Sequence, residues 1–435
     1  MRIKLVFLFL LISSVSSFGQ SNIDFATVDA KTYSFYQNAQ WDSLIVLGKK
    51  AQRQGVDYYY LNYRMAVAYF YKENYKLASH FFQKALDYNS EARNDEFFAE
   101  LYHLALVYSQ RNDLAIDMPL PRNSNVVDPM ALNNLVFVVG GGRMINYDHS
   151  QAKVRPNPEF SELRYQDAVN YWAIAFKHQF NASFNLGVSY SNLHFLMKTT
   201  IVDEGVITNE NYKISQYNFA IIPEFSLGRY WQLKPVVTLT SNRGFPYSVV
   251  DTTQGIKKYG FWEYSENNLV LGVNAYRDIR KVKLGFNLGV SNYSERRQAQ
   301  VGANLSYFPF GNLNLYSFTA VSLKVDDKEK SVIFHQKIGF KVFSKLWLEG
   351  GGLFGQLKNY NDFNLGYGYN IADYMDMIFY GKFIFVTGNQ VNFFVEGQYL
   401  HKYTYRKDDF GVNEHIETRI NYDQWNIEGG LLWNF

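Results

Sequence analysis

Hydrophobic and polar residues alternate with a period of two through most of the chain after residue 134. In the last eleven residues, every second position is aromatic, aliphatic or glycine: Trp425, Ile427, Gly429, Leu431, Trp433 and Phe435. The residues between them include the polar Asn426, Glu428 and Asn434. Successive side chains of a β-strand point to opposite faces of its sheet, so this pattern predicts a strand with one apolar face. The same alternation recurs at residues 182–191, 217–227, 282–291 and 391–399, which restricts this part of the chain to β structure.

A β-sandwich and a membrane-spanning barrel both produce this alternation, and the connections between the strands favour the barrel. Tight connections, such as residues 229–232 and 278–280, alternate with longer polar ones, such as 198–213 and 241–259. Transmembrane barrels alternate short turns and long loops in this way. The composition agrees, because 18% of the residues are aromatic while the mean hydropathy is only −0.25. Polar residues that face the lumen lower the mean hydropathy of such barrels.

About fourteen strands can be counted in residues 135–435, and twelve or sixteen are left open because residues 358–373 could hold a further strand. We interpret that stretch as one long loop. The predicted strands begin near Leu135, Ala168, Ala182, Ile214, Leu233, Asn267, Lys281, Gln298, Leu313, Ser331, Leu346, Met375, Val391 and Asp423. An even number places both ends of a barrel on the same side of the membrane.

The first nineteen residues have the composition of a secretory signal peptide. Arg2 and Lys4 precede an apolar stretch at residues 6–12, and the sequence Ser17-Phe18-Gly19, with small residues at its first and third positions, provides a cleavage site. We expect the mature chain to begin at Gln20. The chain contains no cysteine, which excludes disulfides, thiolate metal sites and a cysteine nucleophile.

Residues 20–118 show the residue spacing of helices rather than the alternation of strands. Residues 41–51 align with 75–85 at a shift of 34 residues, and small and aromatic residues such as Ala66, Tyr69 and Ala78 recur at helical spacing. This segment resembles tetratricopeptide-repeat proteins. The stretch 119–134 contains three prolines and is predicted to be a linker. The predicted fold class is therefore α+β multidomain: a short periplasmic helical domain (20–118), the linker, and an antiparallel transmembrane β-barrel (135–435).

Three groups of residues are candidates for function. Aromatic residues of the helical domain could contact a partner: Trp41, Tyr59, Tyr60 and Tyr63. Charged residues at inward positions are predicted to line the lumen: Lys177, Glu224, Lys234, Lys283, Lys337, Lys341, Lys382, Glu396 and Glu428. A basic excess among them could favour anions in a pore. The terminal Phe435 is predicted to be the signal that the barrel-assembly machinery recognises.

The sequence offers little support for catalysis. No nucleophile, zinc or phosphate-loop motif occurs, and the glycine runs at 140–142 and 350–352 are better explained by close approach within a curved sheet. Histidines near predicted loops, such as His194 and His401, are interpreted as solvated side chains. The net charge of +3 is too small to indicate a nucleic-acid partner. We predict no catalytic residue, no cofactor and no metal site.

The combination of signal peptide, short repeat segment, linker and terminal barrel resembles the YaiO-like outer-membrane proteins. This resemblance implies the bacterial outer membrane, with lipid around the barrel and the helical domain in the periplasm. Our leading hypothesis is a non-enzymatic barrel whose repeats bind a periplasmic protein or polymer during envelope assembly or export. The alternative is a channel for small solutes, with the helical domain as gate or plug. A third, weaker hypothesis is an enzyme with its site at the rim of the barrel.

Overall fold

The computed structural model describes residues 24–126, 128–146, 159–253, 256–327, 329–370, 373–388, 390–410 and 415–435, without the side chains of 251–256, 295 and 415. The predicted signal peptide and the predicted mature start at Gln20 lie outside these residues. The chain divides into two compact units, the first ending at Tyr102 and the second beginning at His103. Within the described residues, no helix is long and apolar enough to cross a lipid bilayer.

The first unit is helical. Its helices are α1 (Phe25–Gln37), α2 (Trp41–Arg53), α3 (Tyr59–Tyr71) and α4 (Tyr75–Tyr88), followed by a short 3₁₀ helix (Ser90–Asn94) and by the first part of α5 (Glu96–Tyr108), which continues into the second unit. The starts of α1 and α3 are 34 residues apart, and so are those of α2 and α4. Small and aromatic side chains form the buried contacts between the helices, including Ala66, Ala78, Phe82 and Ala85.

A polar cluster joins three helices of this unit around one carboxylate. Asp57 lies between α2 and α3, and it accepts hydrogen bonds from Lys84 at 2.8 Å, Asn62 at 2.7 Å and Gln52 at 3.1 Å. Burial raises the pKa of Asp57, but these three donors and the charge of Lys84 outweigh burial, so the net pKa is lowered. The carboxylate therefore stays charged at neutral pH and connects the helices.

The second unit is dominated by a closed antiparallel barrel of fourteen strands within the described residues. Its strands are β1 (Asn133–Ile145), β2 (Phe160–Asn181), β3 (Phe184–Asp203), β4 (Val206–Leu227), β5 (Trp231–Gly244), β8 (Tyr264–Ile279), β9 (Val282–Ser291), β10 (Gln298–Tyr307), β11 (Leu315–Asp326), β12 (Lys330–Phe343), β13 (Leu346–Phe354), β14 (Tyr374–Val386), β15 (Val391–Asp409) and β16 (His415–Asn434). The hairpin β6 (Tyr247–Thr253) and β7 (Ile256–Phe261) lies in the connection from β5 to β8. The predicted count of fourteen strands and the predicted fold class, a short helical region followed by an antiparallel barrel, are confirmed.

The two faces of the barrel wall differ in the way a lipid environment requires. On β9, Phe286, Leu288 and Val290 are exposed, while the intervening Asn287 and the terminal Ser291 are buried. The exposed face is apolar and the enclosed face is polar, which is the reverse of a soluble protein. A closed barrel also pairs the backbone groups of every strand with neighbouring strands.

The first strand of the barrel begins and the last strand ends at the same end of the barrel, which we call the near end. Asn133 donates its backbone N–H to Phe435 at 2.8 Å, and Phe435 donates in return at 3.0 Å. Short connections lie at this end, including residues 228–230 and 280–281. The opposite end, called the far end, carries the hairpin β6–β7.

A short helix, α6 (Asn112–Ala115), is fastened to the near end of the barrel. The guanidinium of Arg111 pairs with Asp113 at 2.8 Å and approaches Asp278, beside the turn after β8, to 3.7 Å. It also donates to the backbone carbonyl of Arg229 at 2.8 Å, while Ser226 donates to Asp113 at 3.0 Å. Buried charges of this kind are stable only when they are paired and hydrogen-bonded, and here the pairing fixes residues 111–113 to the rim.

The connection from β13 to β14 turns into the lumen. We call its described residues 355–370 the inner segment. Leu357, Tyr360 and Leu365 of this segment are buried. The barrel wall holds its backbone: Thr238 donates to the carbonyl of Leu365 at 3.0 Å, and Asn287 donates to that of Phe363 at 2.7 Å. The predicted long loop at 358–373 is thus a packed element that fills one side of the lumen.

Candidate functional site: a chamber in the barrel lumen

A chamber of about 580 Å³ remains in the lumen beside the inner segment. Strands β1–β3 and β11–β16 form its wall, and the inner segment contributes Tyr360, Phe363, Tyr367 and Tyr369. The inner segment is hydrogen-bonded to β5, β8, β9 and β10 on the other side of the lumen. The chamber is therefore the part of the barrel interior that the inner segment leaves unfilled.

Five charged residues, which we call the charged girdle, project into the chamber: Lys337, Glu349, Lys382, Glu396 and Glu428. Lys382, Glu396 and Glu428 are direct neighbours across β14, β15 and β16. The ammonium of Lys382 lies 2.8 Å from Glu396, and that of Lys337 lies 3.5 Å from Glu349. Each lysine of the girdle is thus paired with one carboxylate.

Two tyrosines lie flat against glycines beside the girdle. A Cβ atom added to Gly140 would come within 2.6 Å of the Tyr171 ring, and one added to Gly351 within 2.7 Å of the Tyr380 ring. Glycine is required at both positions because the rings occupy the space of a side chain. The hydroxyl of Tyr171 donates to Glu428 at 2.6 Å, and the hydroxyl of Tyr380 lies 2.8 Å from His335. The glycine runs therefore form surfaces on which aromatic rings rest.

An apolar wall continues the chamber toward the far end. Val169, Leu193 and Phe195 belong to one buried cluster, against which Tyr171 and Tyr367 pack. A second cluster covers the opposite part of the wall and contains Leu353, Ile378, Leu400, Met375 and residues of the inner segment. The chamber thus combines a charged region and an apolar region along the strands.

The far end of the lumen is narrowed by an unusual strand pairing. Residues 160–162 of β2 pair with 407–409 of β15, although β1 and β16 separate these two strands in the order of the barrel. Ser161 donates to Asp408 at 2.7 Å. Below this pairing, the buried ammonium of Lys402 donates to Gln166 at 2.7 Å and to Gln424 at 3.2 Å. The pairing joins wall segments that are not neighbours and restricts access from this end.

The other predicted lumen residues lie away from the chamber lining. Glu224 binds the ammonium groups of Lys177 at 3.0 Å and Lys234 at 2.9 Å, and Lys283 donates to Gln232 at 2.9 Å. Lys341 is exposed, with its ammonium 5.1 Å from the centre of the Trp347 ring. Four of the nine predicted lumen residues line the chamber: Lys337, Lys382, Glu396 and Glu428.

Sequence reasoning did not single out Glu349, Tyr171 or the inner segment. Glu349 and Tyr171 stand at inward positions next to glycine runs, at 350–352 and opposite 140–142. A glycine run opposite an inward tyrosine was the signal that could have identified them. The inner segment had no such signal, because its burial depends on contacts with strands that are distant in sequence.

The four aromatic candidates for partner binding lie in the first unit. Trp41 stacks on Tyr71 with a distance of 5.2 Å between the ring centres, and Tyr63 stacks on Tyr59 at 6.1 Å. Tyr60 is 57% exposed. Trp41 and Tyr63 both contact the ring of Tyr36, and Tyr59 contacts Tyr60 at 4.9 Å between the ring centres, so the structure places all four near one another.

The two histidines named in the sequence analysis lie next to polar side chains. His194 lies 2.9 Å from Ser215, and His401 lies 2.8 Å from Asp423. Phe435 pairs through its backbone with β1, as described above, and its role as an assembly signal stays a prediction.

No family model and no curated protein matches the chain. Several solved structures match the barrel. A FadL homologue of Pseudomonas aeruginosa is 11% identical over 70% of this chain and 90% of that one, with a TM-score of 0.48. The toluene transporter TbuX of Ralstonia pickettii is 7% identical over 70% and 90%, with a TM-score of 0.47. The toluene transporter TodX of Pseudomonas putida is 9% identical over 70% and 89%, with a TM-score of 0.46. At these values the likeness concerns the barrel fold alone.

The protein is an outer-membrane β-barrel with an N-terminal helical segment. The leading hypothesis from the sequence, a barrel whose repeats bind a partner in envelope assembly or export, is wrong. The structures named above are a FadL homologue and two toluene transporters, and none of them is such a scaffold. The resemblance to tetratricopeptide-repeat and YaiO-like proteins was not confirmed by them.

Proposed function

We propose that the protein is an outer-membrane channel for small solutes, in which the inner segment forms the constriction. The observation that carries this proposal is the chamber of about 580 Å³ inside the barrel, beside the inner segment that is hydrogen-bonded to the opposite wall. Sites for small molecules commonly have volumes of about 300–1,000 Å³. A fourteen-stranded barrel is also wider than the eight-stranded barrels that side chains alone can fill.

The lining of the chamber indicates which solutes could enter it. A solute that leaves water must exchange its hydration for contacts with the wall. The charged girdle can replace water around a polar group, while the cluster of Val169, Leu193 and Phe195 can cover an apolar group. The chamber therefore suits small molecules that have both kinds of group.

The inner segment limits passage because the barrel wall holds it at several points. Asn274 donates to the carbonyl of Asn364 at 2.8 Å, and Gln300 donates to that of Asn361 at 3.0 Å, in addition to the two bonds described above. The side chain of Leu365 occupies space over Gly272 and Gly289. Passage of a solute then requires either a narrow route beside this segment or its displacement.

Planar bilayer recordings test the proposal. We expect little or no steady conductance from the full-length protein, and a stable conductance several-fold higher after residues 358–368 are replaced by a short Gly-Ser linker. The matched control replaces residues 247–261, the hairpin β6–β7, by a similar linker and should leave conductance low. If the first replacement conducts no more than the control and admits no solute in liposome swelling, the channel proposal fails.

We also propose that the helical residues face the periplasm and regulate access to the channel. The near end, where the barrel begins and ends, is the periplasmic end in single-chain bacterial barrels. The shared 34-residue offset of the helix pairs supports a repeat architecture, with domain limits at 20–118, 119–134 and 135–435. Protease accessibility in intact cells and in spheroplasts tests the placement. Deletion of residues 20–102 should raise solute flux if the helices act as a gate.

A further inference from the structure

We propose that the chamber selects solutes that carry a positive charge next to an apolar body, with Glu428 as the residue that binds the charged group. This inference rests on the proposed function, since it assumes that solutes enter the lumen. It contradicts the expectation that a basic excess would favour anions. Three observations support it: the pairing of the charges in the girdle, the aromatic rings beside Glu428, and the position of the apolar wall.

The girdle contains one more carboxylate than ammonium groups. Its carboxylates are Glu349, Glu396 and Glu428, and its lysines are Lys337 and Lys382, so three negative charges face two positive ones. Lys337 pairs with Glu349 and Lys382 pairs with Glu396. Among the described residues, no lysine, arginine or histidine forms an ion pair with Glu428. The carboxylate without an ion pair of its own is therefore that of Glu428.

Glu428 is positioned to act on the chamber. The hydroxyl of Tyr171 donates to one of its oxygens at 2.6 Å and fixes the orientation of the carboxylate. Glu396, its direct neighbour on β15, is engaged by Lys382. Two carboxylates at directly opposite positions repel each other, and a cation between them would relieve this repulsion. A positively charged solute group supplies such a cation.

The other charges of the chamber are engaged by groups of the protein itself. Lys402 is only 1% exposed and donates to two glutamine oxygens. It lies six residues along β15 from Glu396, which is about 20 Å at the rise of a strand. Asp362 accepts from the backbone N–H groups of Asn364 and Tyr367 in its own segment. Neither group offers a free charge to a solute as Glu428 does.

Aromatic rings around Glu428 also favour a cation. Tyr171 rests on Gly140, directly beside Glu428 in the barrel wall, and Tyr367 and Tyr380 line the same chamber. The faces of aromatic rings attract cations, and recognition sites for alkylammonium groups combine such rings with desolvated surroundings. An ammonium group bound at Glu428 would have both a carboxylate and ring faces within the chamber.

The apolar wall begins next to this position. Leu193 is the direct neighbour of Tyr171 on β3, and Phe195 and Val169 continue the same cluster toward the far end. A solute with its ammonium at Glu428 can therefore extend an aliphatic or aromatic body along these side chains. Burial of that body contributes about 25 cal/mol for each Å² removed from water.

Ligand binding to the full-length protein in an uncharged detergent tests the inference. The probes are 4-phenylbutylammonium, 4-phenylbutanol and 4-phenylbutanoate, which share one apolar body and differ in charge. Isothermal titration calorimetry should show the ammonium binding about tenfold more tightly than the alcohol, and the carboxylate more weakly than both. Glu428→Gln should remove the preference for the ammonium over the alcohol.

Two further variants complete the experiment. Glu417→Gln makes the same charge change at an exposed position of the same strand and should leave all three affinities unchanged. Glu428→Asp keeps the charge and should retain part of the preference, which separates loss of charge from misfolding. Equal or tighter binding of the carboxylate, or an unchanged preference in Glu428→Gln, overturns the inference. Ammonium binding without any solute flux would instead overturn the proposed channel function.

Discussion

At the scale of single residues, the contacts between tyrosine rings and glycines determine the shape of the chamber. Tyr171 can lie along the wall only because position 140 has no side chain, and its hydroxyl then reaches Glu428. The tyrosine rings are held in place by their close contact with the glycines of the wall. Small changes at the glycines therefore affect both the stability of the wall and the orientation of a functional carboxylate.

Gly140→Ala should destabilise the barrel. The new Cβ would lie 2.6 Å from the Tyr171 ring and 2.8 Å from the Cβ of Glu428, so the ring must move. Overpacking of this kind costs about 1–3 kcal/mol. The temperature at which the folded band is lost in heat-modifiability gels should fall. The matched control is Gly381→Ala, since a Cβ at position 381 meets nothing within 4 Å; an equal loss in both variants would contradict the explanation.

At the scale of elements, the sequence predicted strands well where lipid faces one side of them. The predicted starts at Gln298, Leu346 and Val391 coincide with those of β10, β13 and β15. The alternation predicts strands reliably there, because the face toward lipid must be apolar and the face toward the lumen polar.

The prediction failed where strands extend beyond the region of alternation. Strand β2 begins at Phe160 rather than near Ala168, and β16 begins at His415 rather than near Asp423. Residues 198–213 were predicted to be a loop, but they form the ends of β3 and β4 around a tight turn at Glu204 and Gly205. Where both faces of a strand are polar, no period of two remains to be read. The inner segment was missed for the related reason that its contacts are distant in sequence.

The attachment of α6 to the near end depends on buried charges, and Asp113→Ala should release it. Removal of the carboxylate takes away the partner that accepts two hydrogen bonds from the buried guanidinium of Arg111, and breaking such a buried pair costs about 3–5 kcal/mol. Limited proteolysis should then cut residues 119–132 much faster, while the barrel keeps its heat-modifiable migration. Arg122→Ala, which changes an exposed charge in the same stretch, should not alter the cleavage rate. Equal rates for the two variants would show that other contacts hold the segment.

At the scale of the whole molecule, closure of the barrel depends on its first and last strands. All fourteen strands form one continuous ring, so the pairing of β1 with β16 determines whether any strand edge is left open. The candidate site depends on the same closure, because Gly140 of β1 and Glu428 of β16 are paired residues. The sequence could predict the ring from the alternation and from the two classes of connection, but not the chamber, which exists only once the inner segment has packed.

Deletion of Phe435 should reduce the amount of folded barrel in the outer membrane. The residue forms two backbone hydrogen bonds with Asn133, and its ring contacts Trp433 at 4.6 Å between the ring centres. The fraction with heat-modifiable migration in outer-membrane preparations measures the effect. Phe435→Tyr preserves the backbone bonds and an aromatic ring, and it should restore the yield. A wild-type yield after the deletion would refute the predicted role in assembly.

The pairing of β2 with β15 has a consequence for the order of folding events. Ser161 and Asp408, which are hydrogen-bonded there, are 247 positions apart in the chain. Contacts between such distant positions form late, because the intervening chain must first be ordered. The two strands are brought together only when the ring between them has been completed through β1 and β16. The pairing of β2 with β15 therefore forms only in the completed barrel. A chain arrested with an open seam would lack this pairing, and the far end of its lumen would stay wide.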